Sequence, residues 1–164
     1  MMMSLVEVNK MGAAEFVAAF GEIAEHSPWV AANVTRPFLS RDAMINAFAN
    51  VVMSASEDLQ LSLLRAHPDL ATRAKLTADS TNEQKGAGLD ALSIEEFAKF
   101  TTLNNQYKAQ NGFPFIFAVE GATKHQILAS FEQRIHHSKE DEFKVALQQV
   151  GRIIGFRVEA RVAA

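Results

Sequence analysis

The sequence contains no cysteine. Disulfides, thiol nucleophiles, iron–sulfur clusters and thiolate zinc sites are therefore excluded, and the composition fits a reducing compartment. Basic residues are not in excess either: 16 Lys and Arg against 19 Asp and Glu give a formal net charge of −3. A chain of this charge has no basic footprint for nucleic acid or an anionic membrane, so we expect neither partner.

Long apolar runs are also missing. No segment approaches the ~20 apolar residues that a membrane span needs. The N-terminus has no basic stretch followed by an apolar core, so it does not predict a signal peptide. The C-terminal Arg161-Val162-Ala163-Ala164 is not a Ser-Lys-Leu peroxisomal signal. We therefore expect a soluble, cytoplasmic protein.

Metal and nucleotide motifs are absent too. The five histidines form no His-x-x-x-His pair and no His-Glu-x-x-His motif. Adjacent His136 and His137 would point ~100° apart on a helix, which does not suit a shared ion. Glycine-rich phosphate loops and dinucleotide fingerprints do not occur. We expect no metal and no nucleotide cofactor.

Helical signals dominate what remains. The length of 164 residues, with 48% hydrophobic, suits one domain over residues 1–164. Apolar residues recur at three- and four-residue spacing behind residues that favour helix N-caps. These predicted caps are Asn9, Ser40, Ser56 and Ser93, the last in a Ser93-x-x-Glu96 capping box. Further helices are predicted over Thr123–His136 and Lys139–Val162. The fold class is all-α, a single compact helical bundle-like domain.

The segment Gly112–Val119 breaks the helical pattern. It is apolar on every side, rich in Phe, and contains Pro114, which forbids a regular helix. We predict one buried extended connector, whose backbone N–H and C=O groups must find partners. Such a segment can bind a flat heterocycle through its main chain.

His67 is the first candidate for chemistry. The helix that carries Leu63 and Leu64 must end near His67, because Pro68 disfavours the helical state of the residue before it. A histidine at a helix end is more often a cap that interacts with the helix dipole. Imidazole nevertheless exchanges a proton near neutral pH, which suits an acid or base at the end of an element.

The segment Ser80-Thr81-Asn82-Glu83-Gln84 is the second candidate. Ser80 and Glu83 have capping-box spacing, which needs no function. The following Lys85-Gly86-Ala87-Gly88 is a poor helix sequence and indicates a short turn with a bare backbone. The sequence alone is compatible with both interpretations of this segment, a helix cap and a functional site.

Arg157 is the third candidate. It lies among apolar neighbours in the last predicted helix, one turn after Ile153 and Ile154, toward the buried side. Arginines that pack only their stem and reach solvent are the commoner case. Aimed into a pocket, a guanidinium would bind a carboxylate with two parallel hydrogen bonds.

Together these segments resemble the 2-oxo-4-hydroxy-4-carboxy-5-ureidoimidazoline (OHCU) decarboxylase family from about Ala13 to the C-terminus. The matching motifs, in order, are Glu25-His26-Ser27-Pro28-Trp29, Arg36-Pro37-Phe38, His67-Pro68-Asp69-Leu70, Ser80-x-x-Glu83-Gln84, Leu103-Asn104-x-x-Tyr107 and Gly112-Phe113-Pro114-Phe115-Ile116. Asn111 departs from the family pattern, in which many members have Phe before the Gly-Phe-Pro-Phe-Ile motif.

The resemblance implies a cofactor-independent carboxy-lyase, usually a homodimer, that converts OHCU to (S)-allantoin and CO2 in the last step of urate degradation to allantoin. It implies His67, Glu83 and Arg157 as catalytic residues, and Pro68 as a residue that packs on the substrate ring. Substrate contacts are expected from Ser80, Thr81, Asn82, Glu83, Gln84 and Arg157, and from the main chain of Phe115, Ile116, Phe117, Ala118 and Val119.

Two other functions fit the same residues. A non-catalytic helical module could bind a ureide, a purine-like ligand or a partner helix without needing His67 together with Glu83. A hydrolase of another ureide would use the same pair to activate water. Stereospecific formation of (S)-allantoin distinguishes the decarboxylase from both.

Overall fold

The computed structural model describes residues 2–72 and 76–164. Within these residues the regular structure is helical, apart from one isolated bridge between Met3 and Val162. The helices are α1 (Leu5–Lys10), α2 (Ala13–Phe20), α3 (Trp29–Ala32), α4 (Arg41–Ser54), α5 (Glu57–Ala66), α6 (Ala78–Gly86), α7 (Ile94–Asn111), α8 (Lys124–Arg134) and α9 (Lys139–Arg161). The predicted all-helical class is confirmed.

Three of the four predicted caps precede a helix in the structure. The Ser40 hydroxyl accepts the N–H of Ala43 at the start of α4, and Ser56 does the same for Leu59 in α5. Ser93 forms the predicted capping box of α7. The helices expected over Thr123–His136 and Lys139–Val162 are observed as α8 and α9, with ends within two residues of the prediction.

The prediction that Asn9 caps a helix is wrong. Asn9 lies inside α1, which Ser4 caps, and α2 begins after Gly12. The Asn9 amide instead donates to the carbonyl of Phe38 at 2.9 Å and accepts its N–H at 2.8 Å. A tertiary contact across 29 residues therefore uses a side chain whose local preference indicated a cap.

The chain divides into two compact units, of which unit 1 comprises Met1–Ala66 and Val150–Ala164. In it α3 packs against both α2 and α4. Phe16 lies at the centre of an aromatic cluster with Phe20, Phe38 and Phe48, at ring-centroid distances of 5.0, 5.9 and 6.2 Å. Burying each such ring stabilises the fold by about 1.5–3 kcal/mol.

Unit 2 comprises His67–Gln149, and in it α7 packs against α8. Tyr107 of α7 meets Phe113, Phe115 and Phe131 edge-on. Phe115 stacks on Phe131 with centroids 3.9 Å apart and planes 7° apart. Phe113 and Phe115 belong to the predicted connector, which is buried and, from 113 to 119, neither helix nor strand. The prediction of a buried break in the helical pattern is confirmed, and the extended conformation of its backbone stays a prediction.

Among the described residues, no helix combines the length and the hydropathy that crossing a bilayer requires.

Candidate active site

His67 lies directly after the last residue of α5, in the first position of unit 2. The helix ends there as predicted, because Pro68 disfavours the helical state at position 67. The His67 side chain is 8% exposed, so the imidazole is largely withdrawn from solvent. The chain then turns through Leu70 and Ala71, and we call residues 67–71 the His67 turn.

Ala71 has an unusual backbone conformation in the His67 turn. Its φ of 58° lies in the left-handed region, which residues with a side chain rarely adopt. The Ala71 N–H donates to Oε1 of Gln84 at 2.9 Å, and Nε2 of Gln84 donates to the carbonyl of Asp69 at 3.2 Å. One amide therefore holds two backbone groups of the turn, and it supports the strained conformation.

Two residues of α7 hold the same turn from a second helix. Asn104 donates its Nδ2 to the carbonyl of Leu70 at 2.8 Å, and Lys108 contacts Oδ2 of Asp69 at 2.7 Å. Asn104 and Lys108 are four residues apart and so share one face of α7. The Oδ1 of Asn104 is buried without a hydrogen-bond partner in the described structure. Sequence reasoning gave neither residue a role, although their spacing on one helix face was visible.

Helix α6 carries the segment 80–84. Its N-cap is Thr77, whose hydroxyl accepts the N–H of Ser80, so the alternative that Ser80 and Glu83 form a capping box is wrong. Ser80 and Gln84 are buried and one helical turn apart, and Glu83 beside them is half-buried. The hydrogen bonds of Gln84 to Asp69 and Ala71 thus connect the buried face of α6 to the His67 turn.

Thr81 and Asn82 lie elsewhere on α6. Both are exposed, and the Thr81 hydroxyl donates to the carbonyl of Thr77 at 2.8 Å. The structure therefore brings Gln84 to the His67 turn but does not place Thr81 or Asn82 on the buried face with Ser80. A substrate contact from either side chain stays a prediction.

The connector is held by polar side chains from helices α8 and α9. Arg134 donates Nη1 to the carbonyl of Ile116 at 2.7 Å, and Gln149 accepts the N–H of Ala118 at 2.9 Å through Oε1. These two main-chain groups, which belong to the segment expected to contact substrate, therefore have protein partners. Arg134 and Gln149 were missed because they lie 18 and 31 residues from the groups they bind.

Arg157 is buried in unit 1, as its position in α9 predicted, with 3% of its surface exposed. Its Nη2 forms an ion pair with Oε2 of Glu25 at 2.8 Å, and Nη1 donates to the carbonyls of Glu22 and Ile23 at 3.4 and 3.3 Å. Glu25 is itself 1% exposed. The guanidinium is thus oriented by the segment between α2 and α3. Glu25 was missed because 132 residues separate it from Arg157.

Asn111 is the last residue of α7. Its side chain is buried and donates Nδ2 to the carbonyl of Tyr107 at 3.1 Å. The amide therefore satisfies a carbonyl of the last helical turn before Gly112, whose φ of 78° ends the helix.

Within the described residues, no group of three or more His, Asp or Glu side chains has an arrangement that could hold a metal ion. The three side chains predicted to be catalytic are an imidazole, a carboxylate and a guanidinium, and their role in catalysis stays a prediction. They can exchange protons, orient an imidazole and bind a carboxylate.

Comparison with known proteins gives consistent matches. The sequence profile described as OHCU decarboxylase matches residues 9–159. The 2-oxo-4-hydroxy-4-carboxy-5-ureidoimidazoline decarboxylase of Haloferax volcanii is 44% identical over 161 residues, which cover 97% of this chain and 96% of that protein. The crystal structure of (S)-allantoin synthase superposes with a TM-score of 0.80 at 32% identity; the match covers 98% of this chain and 54% of that one.

A crystal structure of OHCU decarboxylase in the presence of (S)-allantoin matches 87% of this chain and 95% of its own, with a TM-score of 0.73. At 19% identity this likeness supports the fold alone. The profile match and the Haloferax volcanii relative both span nearly the whole sequence, and the motifs around His67, Ser80 and Phe115 fall within them. This chain therefore belongs to the OHCU decarboxylase family.

Proposed function

We propose that this protein converts OHCU to (S)-allantoin and CO2, the last step of urate degradation to allantoin, without a cofactor. The observation that carries the proposal is family membership over residues 9–159, together with a buried histidine in a turn fastened by two helices. Residues 1–164 act as one catalytic domain.

The substrate explains why side chains suffice. Its C4 carries a hydroxyl and a carboxylate, and the adjacent C5=N bond accepts the electron pair released when the C4–carboxylate bond breaks. That built-in electron sink replaces the role that pyridoxal or thiamine has in other decarboxylases. The nitrogen that receives this pair takes up a proton from water, so the product of this step is an enol. Loss of the enol O–H proton and protonation of C5 from one face then give a single enantiomer. The enzyme must therefore supply rate and facial control.

His67 acts as the acid and base that takes the C4 hydroxyl proton and delivers a proton to C5. Glu83 orients the imidazole or binds the ureido N–H groups. Arg157 binds the substrate carboxylate or a carbonyl oxygen, with Glu25 fixing the plane of its guanidinium. Removing water from these groups strengthens their electrostatic effect.

Substrate binding involves the residues that surround this chemistry. Pro68 packs on the ring. The polar edge of the ring is bound by the side chains of Ser80, Thr81, Asn82 and Gln84 and by the main chain of Phe115, Ile116, Phe117, Ala118 and Val119. The bonds of Gln84 to Asp69 and Ala71 support a second role for its amide, that of fixing the turn.

The test is decarboxylation of freshly generated OHCU, followed by circular dichroism of the product. We expect (S)-allantoin to form faster than in the spontaneous reaction, which gives a racemate. His67→Asn should lower kcat by about 10²–10⁴-fold, the usual contribution of general acid–base catalysis. Because His125 is exposed on α8, His125→Asn is the matched control and should leave kcat unchanged.

Each other outcome points to a different function. No optical signal above the spontaneous reaction from the wild-type protein favours the binding module. Release of a hydrolysis product from another ureide, with no effect on OHCU, favours the hydrolase. Full stereoselective turnover by a folded His67→Asn protein removes His67 from the mechanism.

We also propose a homodimer in the cytoplasm. Support comes from membership of the OHCU decarboxylase family, for which the sequence resemblance implies a homodimer. Light scattering after size exclusion should give twice the chain mass of 18.0 kDa. A monomer at all concentrations contradicts this part of the proposal.

A further inference from the structure

A buried polar cluster in unit 2 lies outside the residues discussed for catalysis. Its centre is Glu142 of α9, whose side chain is fully buried. Oε1 of Glu142 accepts the Tyr107 hydroxyl at 2.5 Å and Nε of Arg134 at 2.9 Å, and Oε2 lies 2.9 Å from Nδ1 of His137. Burial and the hydrogen bond to Glu142 raise the pKa of Tyr107, so its hydroxyl stays protonated and remains a donor.

Arg134 joins this cluster to the connector. The same guanidinium that binds Glu142 donates Nη1 to the carbonyl of Ile116 and lies over the ring of Phe115, 4.2 Å from its centroid. It therefore contacts an anion, a main-chain carbonyl and an aromatic face at once. Only a planar fork with several donors can do this, and an ammonium group cannot.

The connector needs such contacts because helical bonding does not fix its backbone. Arg134 and Gln149 bind the carbonyl of Ile116 and the N–H of Ala118, two residues apart. Arg134 and Gln149 thus hold the main chain on both sides of Phe117, whose own N–H and C=O groups make no hydrogen bond within the part of the chain that the structure describes. Phe117 is also the least buried residue between 113 and 119.

We propose that Arg134, held in place by Glu142 and Tyr107, is a positioning residue that sets the main chain of Phe117 against the substrate. This inference rests on the proposed function, because it specifies which residue of the connector meets the ring. Arg134 does not touch substrate. It acts through the connector, so it should control binding and the face of protonation more than the proton transfer itself.

The decisive variants are Arg134→Lys and Tyr107→Phe. Arg134→Lys keeps the buried positive charge but cannot bridge Glu142 and Ile116 while covering Phe115. Tyr107→Phe removes one hydroxyl that orients Glu142 and leaves the ring packing with Phe113 and Phe131. The control is Glu132→Gln on the same helix, which breaks an exposed ion pair with Lys99.

The readouts are KM, kcat and the enantiomeric excess of allantoin, measured at rising enzyme concentration until the spontaneous reaction is negligible. For Arg134→Lys we expect KM to rise about 10-fold or more and enantiomeric excess to fall, since small displacements of a binding group can cost up to about 10²-fold. Tyr107→Phe should also raise KM and lower the enantiomeric excess, but by smaller amounts. Glu132→Gln should change neither.

A purely structural role gives a different pattern. Loss of folded protein lowers the apparent kcat but leaves KM and enantiomeric excess at wild-type values, and that result overturns the proposal. If Arg134→Lys yields no soluble protein, Tyr107→Phe decides by the same two readouts. Failure of the proposed function is seen separately, as the absence of OHCU decarboxylation by the wild-type chain.

Discussion

Replacement of Gln84 by Ala tests whether the His67 turn depends on a side chain from α6. The change removes the acceptor of the Ala71 N–H and the donor to the Asp69 carbonyl, both supplied by one amide. Leaving the buried Ala71 N–H without a partner costs about 1–3 kcal/mol. The Asp69 carbonyl is only part-buried, so water can replace that bond at little cost.

The expected loss for Gln84→Ala is therefore about 2 kcal/mol of unfolding free energy. For a chain of this size, this corresponds to a Tm lower by about 4–8 °C. Activity should fall as well, because Ala71 is held at a φ of 58° and the released turn can move the imidazole. A displacement of ~1 Å at a catalytic group can cost about 10²-fold in rate.

The assay combines thermal unfolding with OHCU turnover for three proteins. Gln84→Glu keeps an acceptor for Ala71 but turns a carboxylate oxygen toward the Asp69 carbonyl, so it should lose kcat as Gln84→Ala does. Gln106→Ala, at an exposed position of α7, is the control and should change neither quantity. If Gln84→Ala raises KM while Tm and kcat stay at wild-type values, Gln84 is a substrate contact and not an anchor of the turn.

Two further variants test ion pairs. Glu25→Gln removes the charge of the buried carboxylate that pairs with Arg157 and should lower stability by about 3–5 kcal/mol in urea unfolding. Glu22→Gln, at a carboxylate that is 58% exposed, should have little effect. Equal stability of the two variants would contradict a stabilising ion pair between Glu25 and Arg157. The backbone N–H of Ser93 and, secondly, Lys124 lower the pKa of Glu96 from 4.5 to about 2. The ionised carboxylate therefore stabilises the fold fully above pH 4.5 and progressively less toward pH 2. The difference in unfolding free energy between wild type and Glu96→Gln should shrink as the pH falls through that window. A difference that does not change with pH would refute this.

The fold was largely predictable because helix ends depend on local chemistry. Ser40, Ser93 and Thr123 cap helices through hydrogen bonds to residues three positions away, and such contacts can be read from the sequence. Asn9 failed for the opposite reason, since its partner Phe38 is 29 residues away. The Ser80 capping box failed because Thr77 supplies the cap three residues earlier.

The reactive groups of the candidate site stay predictions, and the contacts that hold the surrounding segments were not predicted from the sequence. Pro68 predicts that α5 ends at His67, which is why His67 could be chosen as a candidate from the sequence. The poor helical character of Gly112–Val119 identifies the connector. The supporting contacts join residues far apart in sequence: 34 residues for Asn104 and Leu70, and 132 for Arg157 and Glu25. Such contacts follow from how helices pack, which hydrophobic periodicity alone does not specify.

The His67 turn and the connector share one construction. Each is a non-helical segment whose backbone groups are bound by long polar side chains of neighbouring helices, Gln84 and Asn104 in one case and Arg134 and Gln149 in the other. In this decarboxylation the electron sink lies in the substrate. The protein therefore needs mainly to orient the substrate and to deliver one proton at the correct position. Helices supply rigidity but keep their own N–H and C=O groups in helical bonds, so the main-chain groups that can meet a ring belong to irregular segments. We therefore expect the side chains that hold these segments to be as necessary to facial control as the His67 imidazole is, in the proposed mechanism, to proton transfer.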